Sequence, residues 1–159
     1  MIFKIDGNVF GQADTDGTGR ASIACRVDGA LDIGTHTITV DYAGDGKHNA
    51  STGANTLTIK QASTKVKAID ASGVVGGKVV LTAKLVRTTD AASLKDGVLH
   101  FQIGGTDIGR ATTNTSGIAT LNYTIPAAAT KGNHPITAIF NGDAFYLSSR
   151  DSSANLTVK

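Results

Sequence analysis

The sequence predicts an all-β fold, a two-sheet antiparallel sandwich written more than once along the chain, and three observations carry that prediction. The composition favours short strands and turns over helices: 19 Gly, no Glu, only 2 Pro, and abundant Thr, Ser and Asn. Apolar residues alternate with polar ones at period two over most segments, with no helical period. Similar segments also recur at a constant spacing. Gly34–Lys60 (GTHTITVDYAGDGKHNASTGANTLTIK) and Gly132–Lys159 (GNHPITAIFNGDAFYLSSRDSSANLTVK) place His36 against His134 and Asp45 against Asp143, each pair 98 positions apart.

The second copy, residues 61–159, contains every expected element. Thr64–Ile69 reads as an opening strand. Lys78–Arg87 follows, with Val79, Leu81, Ala83 and Leu85 sharing one face. Val98–Ile103 turns Leu99, Phe101 and Ile103 inward, and Gly104-Gly105 is a two-residue hairpin signal. Residues 107–112 make a short strand, and Ile118–Ile125 turns Ala119, Leu121, Tyr123 and Ile125 inward. Two strands, over His134–Phe140 and Ala154–Val158, close the unit around a turn-rich loop. Seven strands with these turns predict two packed sheets.

Residues 1–60 align with only the last five of those strands. Phe3 matches Phe101, Ile5 matches Ile103, Gly11 matches Gly109 and Ala21 matches Ala119, with a one-residue slip between Ser51 and Leu57. No residues of the first copy correspond to 62–99. Losing the face of Val79, Leu81, Ala83 and Leu85 removes about 5–9 kcal/mol of burial, against whole-domain stabilities of about 5–15 kcal/mol. The expectation is therefore an incomplete module at 1–60 and a complete one at 61–159. The first is a truncated piece of a longer array, is completed by strands from a neighbouring chain, or shares strands with the second.

The residues that make this repeat also carry a resemblance. G-N-H-P-I-T-A-I-F-N-G-D-A-F-Y at Gly132–Tyr146, L-T-V at Leu156–Val158, V-V-L-T-A-K-L at 79–85, G-V-L-H-F-Q-I-G-G-T-D-I-G at 97–109 and T-S-G-I-A-T-L-N-Y at 115–123 resemble the bacterial immunoglobulin-like (Big-type) tandem repeat of cell-surface and secreted proteins. The resemblance implies an immunoglobulin-like antiparallel β-sandwich in tandem repeat, on an extracellular or cell-surface protein. It also implies a non-enzymatic structural or adhesive role, as spacer or fibre component. The implied partners are other modules of the kind, neighbouring copies of the same chain, or a surface glycan or protein receptor. The alternatives are a carbohydrate- or calcium-binding β-sandwich and an ancillary domain of a secreted hydrolase. The first copy departs at Gly46-Lys47-His48, where the second has Ala144-Phe145-Tyr146, and this predicts looser packing of that loop.

Few residues suggest chemistry. Asp14 and Asp16, in D-T-D-G-T-G, have the look of a short calcium loop, but the distal Glu of such a loop is absent, and a turn explains the pattern more simply. Asp45 and Asp143, each preceded by a glycine (Gly44, Gly142), read as Asx turns between the last two strands. His36 and His134 stand alone, without the second imidazole or thiolate of a zinc site, and read as strand-entry residues; Tyr146 reads as a packing residue of its loop. Phe145 and Tyr146 are the few aromatics on offer for sugar stacking. Lys65 or Lys67 with Asn155 are the nearest candidates for a Lys–Asn isopeptide bond, disfavoured because Asn155 alternates outward. No catalytic motif or phosphate loop is present, and no cofactor is expected.

Residues 1–60 carry five basic residues against seven aspartates, and residues 61–159 ten against six. Neither half shows a basic run interleaved with aromatics, which argues against nucleic acid as a partner. No run of 18 apolar residues suggests a membrane span. The single Cys25 alternates with Ile23 and Val27 and is expected to be a small buried hydrophobe.

Overall fold

Strands account for all the regular structure in the computed structural model, which describes residues 1–25 and 31–159; there is no helix among them. The chain divides into two units, Met1–Lys60 and Gln61–Lys159.

In the second unit, β5 (Thr64–Ala68), β6 (Ala71–Gly73), β7 (Lys78–Arg87), β8 (Val98–Ile103), β9 (Thr106–Thr112), β10 (Ile118–Thr124), β11 (Gly132–Phe140) and β12 (Ser149–Val158) form two sheets, ordered β10-β7-β5 and β6-β12-β11-β8-β9. All pairings are antiparallel except β6 with β12. The alternation read from sequence supplies the core: Leu81, Ala83 and Leu85 of β7 and Leu99 and Phe101 of β8 are fully buried, with Ala119, Ile136 and Leu156. This is the immunoglobulin-like sandwich. Thr113 is the one buried polar side chain deep beside this core that ties two loops together: its hydroxyl donates to the Leu94 carbonyl (2.6 Å) and accepts from the Gly97 amide (2.9 Å).

Two features differ from the expected pattern. A three-residue strand, β6, lies between Thr64–Ile69 and Lys78–Arg87, where no strand is expected, and runs parallel to β12 along its outer edge, pairing Ala71, Ser72 and Gly73 with Leu156, Thr157 and Val158. β12 also begins five residues earlier than expected, because it carries a β-bulge. Ile136 pairs with Ala154 and Ala138 with Asp151, so β12 spends one more residue than β11 over that step. The one-residue slip between the copies is this bulge.

Among its described residues the first unit has one sheet. β1 (Ile2–Ile5), β2 (Asn8–Gln12), β3 (Gly34–Tyr42) and β4 (Ser51–Ile59) run in the order β2-β1-β3-β4, matching the order β9-β8-β11-β12. The β3–β4 register is unbroken over nine pairs. Register puts Phe3, Ile5, Ile38, Val40, Leu57 and Ile59 on one face. Ile5 is the single buried hydrophobic side chain among the described residues of this unit, and the others are half-exposed.

The expected strand aligned with β10 does not form over residues 20–25; Val27 lies outside the described residues. In the second unit the sole sheet partner of β10 is β7, and among the described residues of the first unit no strand stands in that place. A strand without a neighbour leaves its amides and carbonyls unpaired and gains nothing over coil. For the same reason Cys25, expected to be buried, is exposed. Its hydrogen-bonding layer is absent, so alternation alone cannot turn it inward.

Candidate functional site

The positions that recur in both copies form backbone-bonded turns. Asp143 Oδ1 accepts from the amides of Phe145 (2.8 Å) and Tyr146 (2.9 Å), and the Asp143 amide donates to the Tyr146 carbonyl (2.9 Å). Asp45 repeats this with Lys47 (2.7 Å) and His48 (2.8 Å), and its amide donates to the His48 carbonyl (2.9 Å). Each turn needs its glycine. Gly44 and Gly142 sit at φ +85° and +82°, and a Cβ on Gly142 would lie 2.8 Å from the Tyr146 carbonyl oxygen.

The chemistry inside the two loops differs. Tyr146 is half-buried against the sandwich core, whereas in the first unit a polar triad takes that place. Tyr42 Oη donates to Asp45 Oδ2 (2.8 Å), and His48 Nδ1 lies 2.9 Å from Asp45 Oδ1. The Lys47 amide, the His48 ring and the Tyr42 hydroxyl together hold the Asp45 carboxyl down at about 2. Gly46-Lys47-His48 thus replaces aromatic packing with hydrogen bonds to one carboxylate. Sequence reading missed Tyr42, because its contribution depends on a loop three residues away folding back.

His36 and His134 both send Nε2 to a carbonyl four residues earlier, Asp32 O at 2.8 Å and Thr130 O at 2.7 Å. His36 has a second partner. Asp6 occupies the hairpin position of Gly104, at φ +48°, and its Oδ2 lies 2.6 Å from His36 Nδ1 while its Oδ1 accepts the Thr37 amide (2.8 Å). With acceptors at both ring nitrogens, the doubly protonated imidazolium satisfies both. The Asp6 hydrogen bond, then that to Asp32, raises the His36 pKa above its ordinary 6.5. The folded sheet therefore holds this proton more tightly than the unfolded chain. Its stabilisation is complete below pH 6.5 and is lost as pH climbs through the raised value. The expected NMR result is a His36 ring titrating above 6.5 that moves back down in Asp6→Asn; an unchanged midpoint in that variant would contradict the pairing.

Asp14 and Asp16 both lie exposed on the loop after β2. Asp16 Oδ1 is spent on its own loop, accepting from the Thr18 amide (2.8 Å), the Thr18 hydroxyl (2.6 Å) and the Arg20 amide (3.1 Å), and these bonds lower its pKa. The aligned Asn114 does the same for the Ser116 and Ile118 amides. Among the described residues no three metal-ligating side chains gather. Phe145 is exposed while Tyr146 turns toward the core, so the two rings are not presented as a stacking pair. The Lys67 ammonium is engaged by Ser153 Oγ (2.6 Å) and Asp151 Oδ2 (3.4 Å) rather than by Asn155, whose backbone N–H donates to Asp70 Oδ1.

A cleft of about 340 Å³ lies beside the second Asx turn, lined by Gln61, Asn141, Asp143, Tyr146 and Leu147 among others. Its walls are already bonded to each other: Gln61 Nε2 donates to the Asp143 carbonyl (2.7 Å), and Ala62 exchanges backbone bonds with Phe145 and Leu147. This ties the start of the unit to its last loop. The larger unsatisfied surface is the half-exposed apolar face of β1, β3 and β4, together with the outer edge of β4, which pairs with no strand among the described residues.

Among described residues no helix is long and apolar enough to cross a membrane. No curated protein matches the chain significantly. Solved structures with a similar course include a membrane-anchored protein from Corynebacterium diphtheriae (17% identity, TM-score 0.41), covering 80% of this chain and 31% of that one. A 1.5-MDa bacterial ice-binding adhesin, from work on its retention at the host cell surface, is similar at 12% identity and TM-score 0.37, covering 99% of this chain and 52% of that one. The N-terminal Ig1-2 module of the Drosophila receptor protein tyrosine phosphatase DLAR is similar at 14% identity and TM-score 0.36, covering 99% and 82%. The chain thus spans about a third of the first of these and about half of the second. Residues 66–159 match the bacterial Ig-like domain (group 3), which is more than half of the sequence, and the chain belongs to that family.

Proposed function

We propose that this chain is a non-enzymatic structural segment of an extracellular or cell-surface protein, an Ig-like spacer or adhesive-arm component, and that its first unit works as an acceptor completed by strands from outside residues 1–60. The observation that carries this reading is the contrast between two sheets of the same order. β9-β8-β11-β12 is roofed by β10-β7-β5, whereas among the described residues β2-β1-β3-β4 has no second sheet and keeps its apolar face half-exposed. A sheet of four strands needs such a face covered before it is stable, and an open edge is a template for another strand. The family supports the extracellular setting. Among the described residues the turn carboxylates serve their own loops.

Two measurements test the reading. Antibody raised to the second unit should label intact cells of the producing bacterium. Hydrogen exchange on the purified chain should find β3 and β4 amides opening far more readily than those of β11 and β12. A monomer in which both pairs are equally protected would sink the acceptor role.

A further inference from the structure

We propose that the outer face of the β10-β7-β5 sheet in the second unit is a docking surface for a linear acidic polysaccharide. The inference deepens the reading above, from which it takes only the extracellular setting; it is independent of the acceptor role of the first unit.

The three strands, TKVKA, KVVLTAKLVR and IATLNYT, contain no acidic residue. Alternation sends Val66, Ala68, Leu81, Ala83, Leu85 and Ala119 into the core, so Lys65, Lys67, Lys78 and Lys84 stand on the other side, all exposed. Lys67 and Lys84 are direct partners in the β5–β7 ladder, and like charges placed so repel. At the rim Lys67 is shared with Ser153 Oγ and Asp151 Oδ2. Among the described residues no carboxylate lies within ion-pairing distance of Lys65, Lys78 or Lys84, whereas Arg87 pairs with Asp90 and Lys95 with Asp96. Lysines on β5 also guard a sheet edge, but β7 is the central strand, so Lys78 and Lys84 guard none. The face therefore holds fixed positive charge that an external anion would neutralise.

Shape and lining select the anion. Lys78 and Lys84 lie six residues apart on one strand, a span of about 20 Å. Val80 and Thr82 stand between them, with Thr120, Asn122 and Thr124 alongside on β10. A polymer laid along β7 would meet a cation at each end and hydroxyl and amide groups between, which can bond sugar hydroxyls. Nucleic acid fits less well. Tyr123, the aromatic residue of β10, packs against the core, so no ring on this face offers a platform for bases. A bilayer fits less well too, because Val80 is the one largely exposed apolar side chain on the face.

The test measures retention of the full 159-residue chain on immobilised alginate and heparin, with neutral dextran and with single-stranded and duplex DNA in parallel. The chain should be held by the acidic polysaccharides at low salt, released as salt rises, and not held by dextran. Lys65→Gln, Lys78→Gln and Lys84→Gln together should weaken binding by about tenfold or more, Lys67 being kept because it backs Asp151. Arg110→Gln with Arg150→Gln removes two exposed cations from the outer face of the other sheet and should leave binding unchanged. In the parent chain, NMR shifts on adding soluble alginate should fall on β5 and β7, a result that needs no variant. No retention on either acidic polysaccharide, equal weakening by both sets of substitutions, or shifts confined to β8, β9, β11 and β12 would overturn the proposal. Tighter retention on DNA would overturn it in favour of nucleic acid. A failure on these matrices leaves the proposed function standing, whereas intact cells that antibody to the second unit does not label would remove that reading and this partner together.

Discussion

Phe101→Ala is expected to destabilise the second unit by about 3–5 kcal/mol, the usual cost of emptying a core aromatic site, while the matching change Phe3→Ala costs the first unit only about 1–2 kcal/mol. Phe101 is fully buried between the two sheets, so its removal leaves a cavity bounded on both sides. Phe3 occupies the aligned place on β1, but among the described residues no second sheet lies over its face and the ring is half-exposed. There is little cavity to create where a wall is already missing. Urea titration read by unit-specific exchange would measure both. Equal losses would mean that the first sheet is roofed in solution by some other part of the molecule.

Asp151→Ala is expected to cost about 2–3 kcal/mol at pH 7, with the difference from the parent chain shrinking between pH 4 and 2. Asp151 Oδ2 accepts the Ala68 amide (2.9 Å) and Oδ1 the Ser153 amide (3.0 Å), so one carboxylate joins β12 to β5 and closes its own bulge. Partial burial pushes the carboxyl up, but the Ser153 and Ala68 hydrogen bonds, with Lys67 behind them, outweigh it and hold the pKa at about 2. A carboxyl depressed from 3.8 to about 2 contributes about 2 kcal/mol that is present above its unfolded value and disappears as acid protonates the folded form. Alanine removes that contribution and leaves the Ala68 amide without its acceptor. Denaturation curves at pH 7 and near pH 2 would show the two chains converging. A difference that persists undiminished in acid would assign the loss to backbone geometry at the bulge instead.

Strands with clean alternation between firm turns were legible from residues alone. β7 and β8 fall at the residues read from Lys78–Arg87 and Val98–Ile103, and their inward sets are buried except Val79 and Ile103, which pack partly buried against the core. Three features were not legible, each for its own reason. β6 is three residues long and owes its existence to the edge of a strand more than 80 positions away, which no local pattern signals. The bulge in β12 breaks period two at Ser152 and Ser153, so the polar start of that strand reads as loop. The behaviour of residues 20–25 and Cys25 depends on a partner strand rather than on their own alternation. Of the candidate residues, the Asx turns were readable because Gly-Asp is local chemistry. The Asp6–His36 pair was not, since it joins a hairpin tip to a strand 30 residues on.

The bulge also fixes how β12 is strung along its sheet. Where β3 and β4 count residue for residue, β12 spends one residue more than β11. Were that extra position skipped, the pairing would turn either Leu156 and Val158 or the strand's beginning to the wrong side. One inserted serine position thus lets Asp151 reach β5 at one end while Leu156 and Val158 stay in the core at the other.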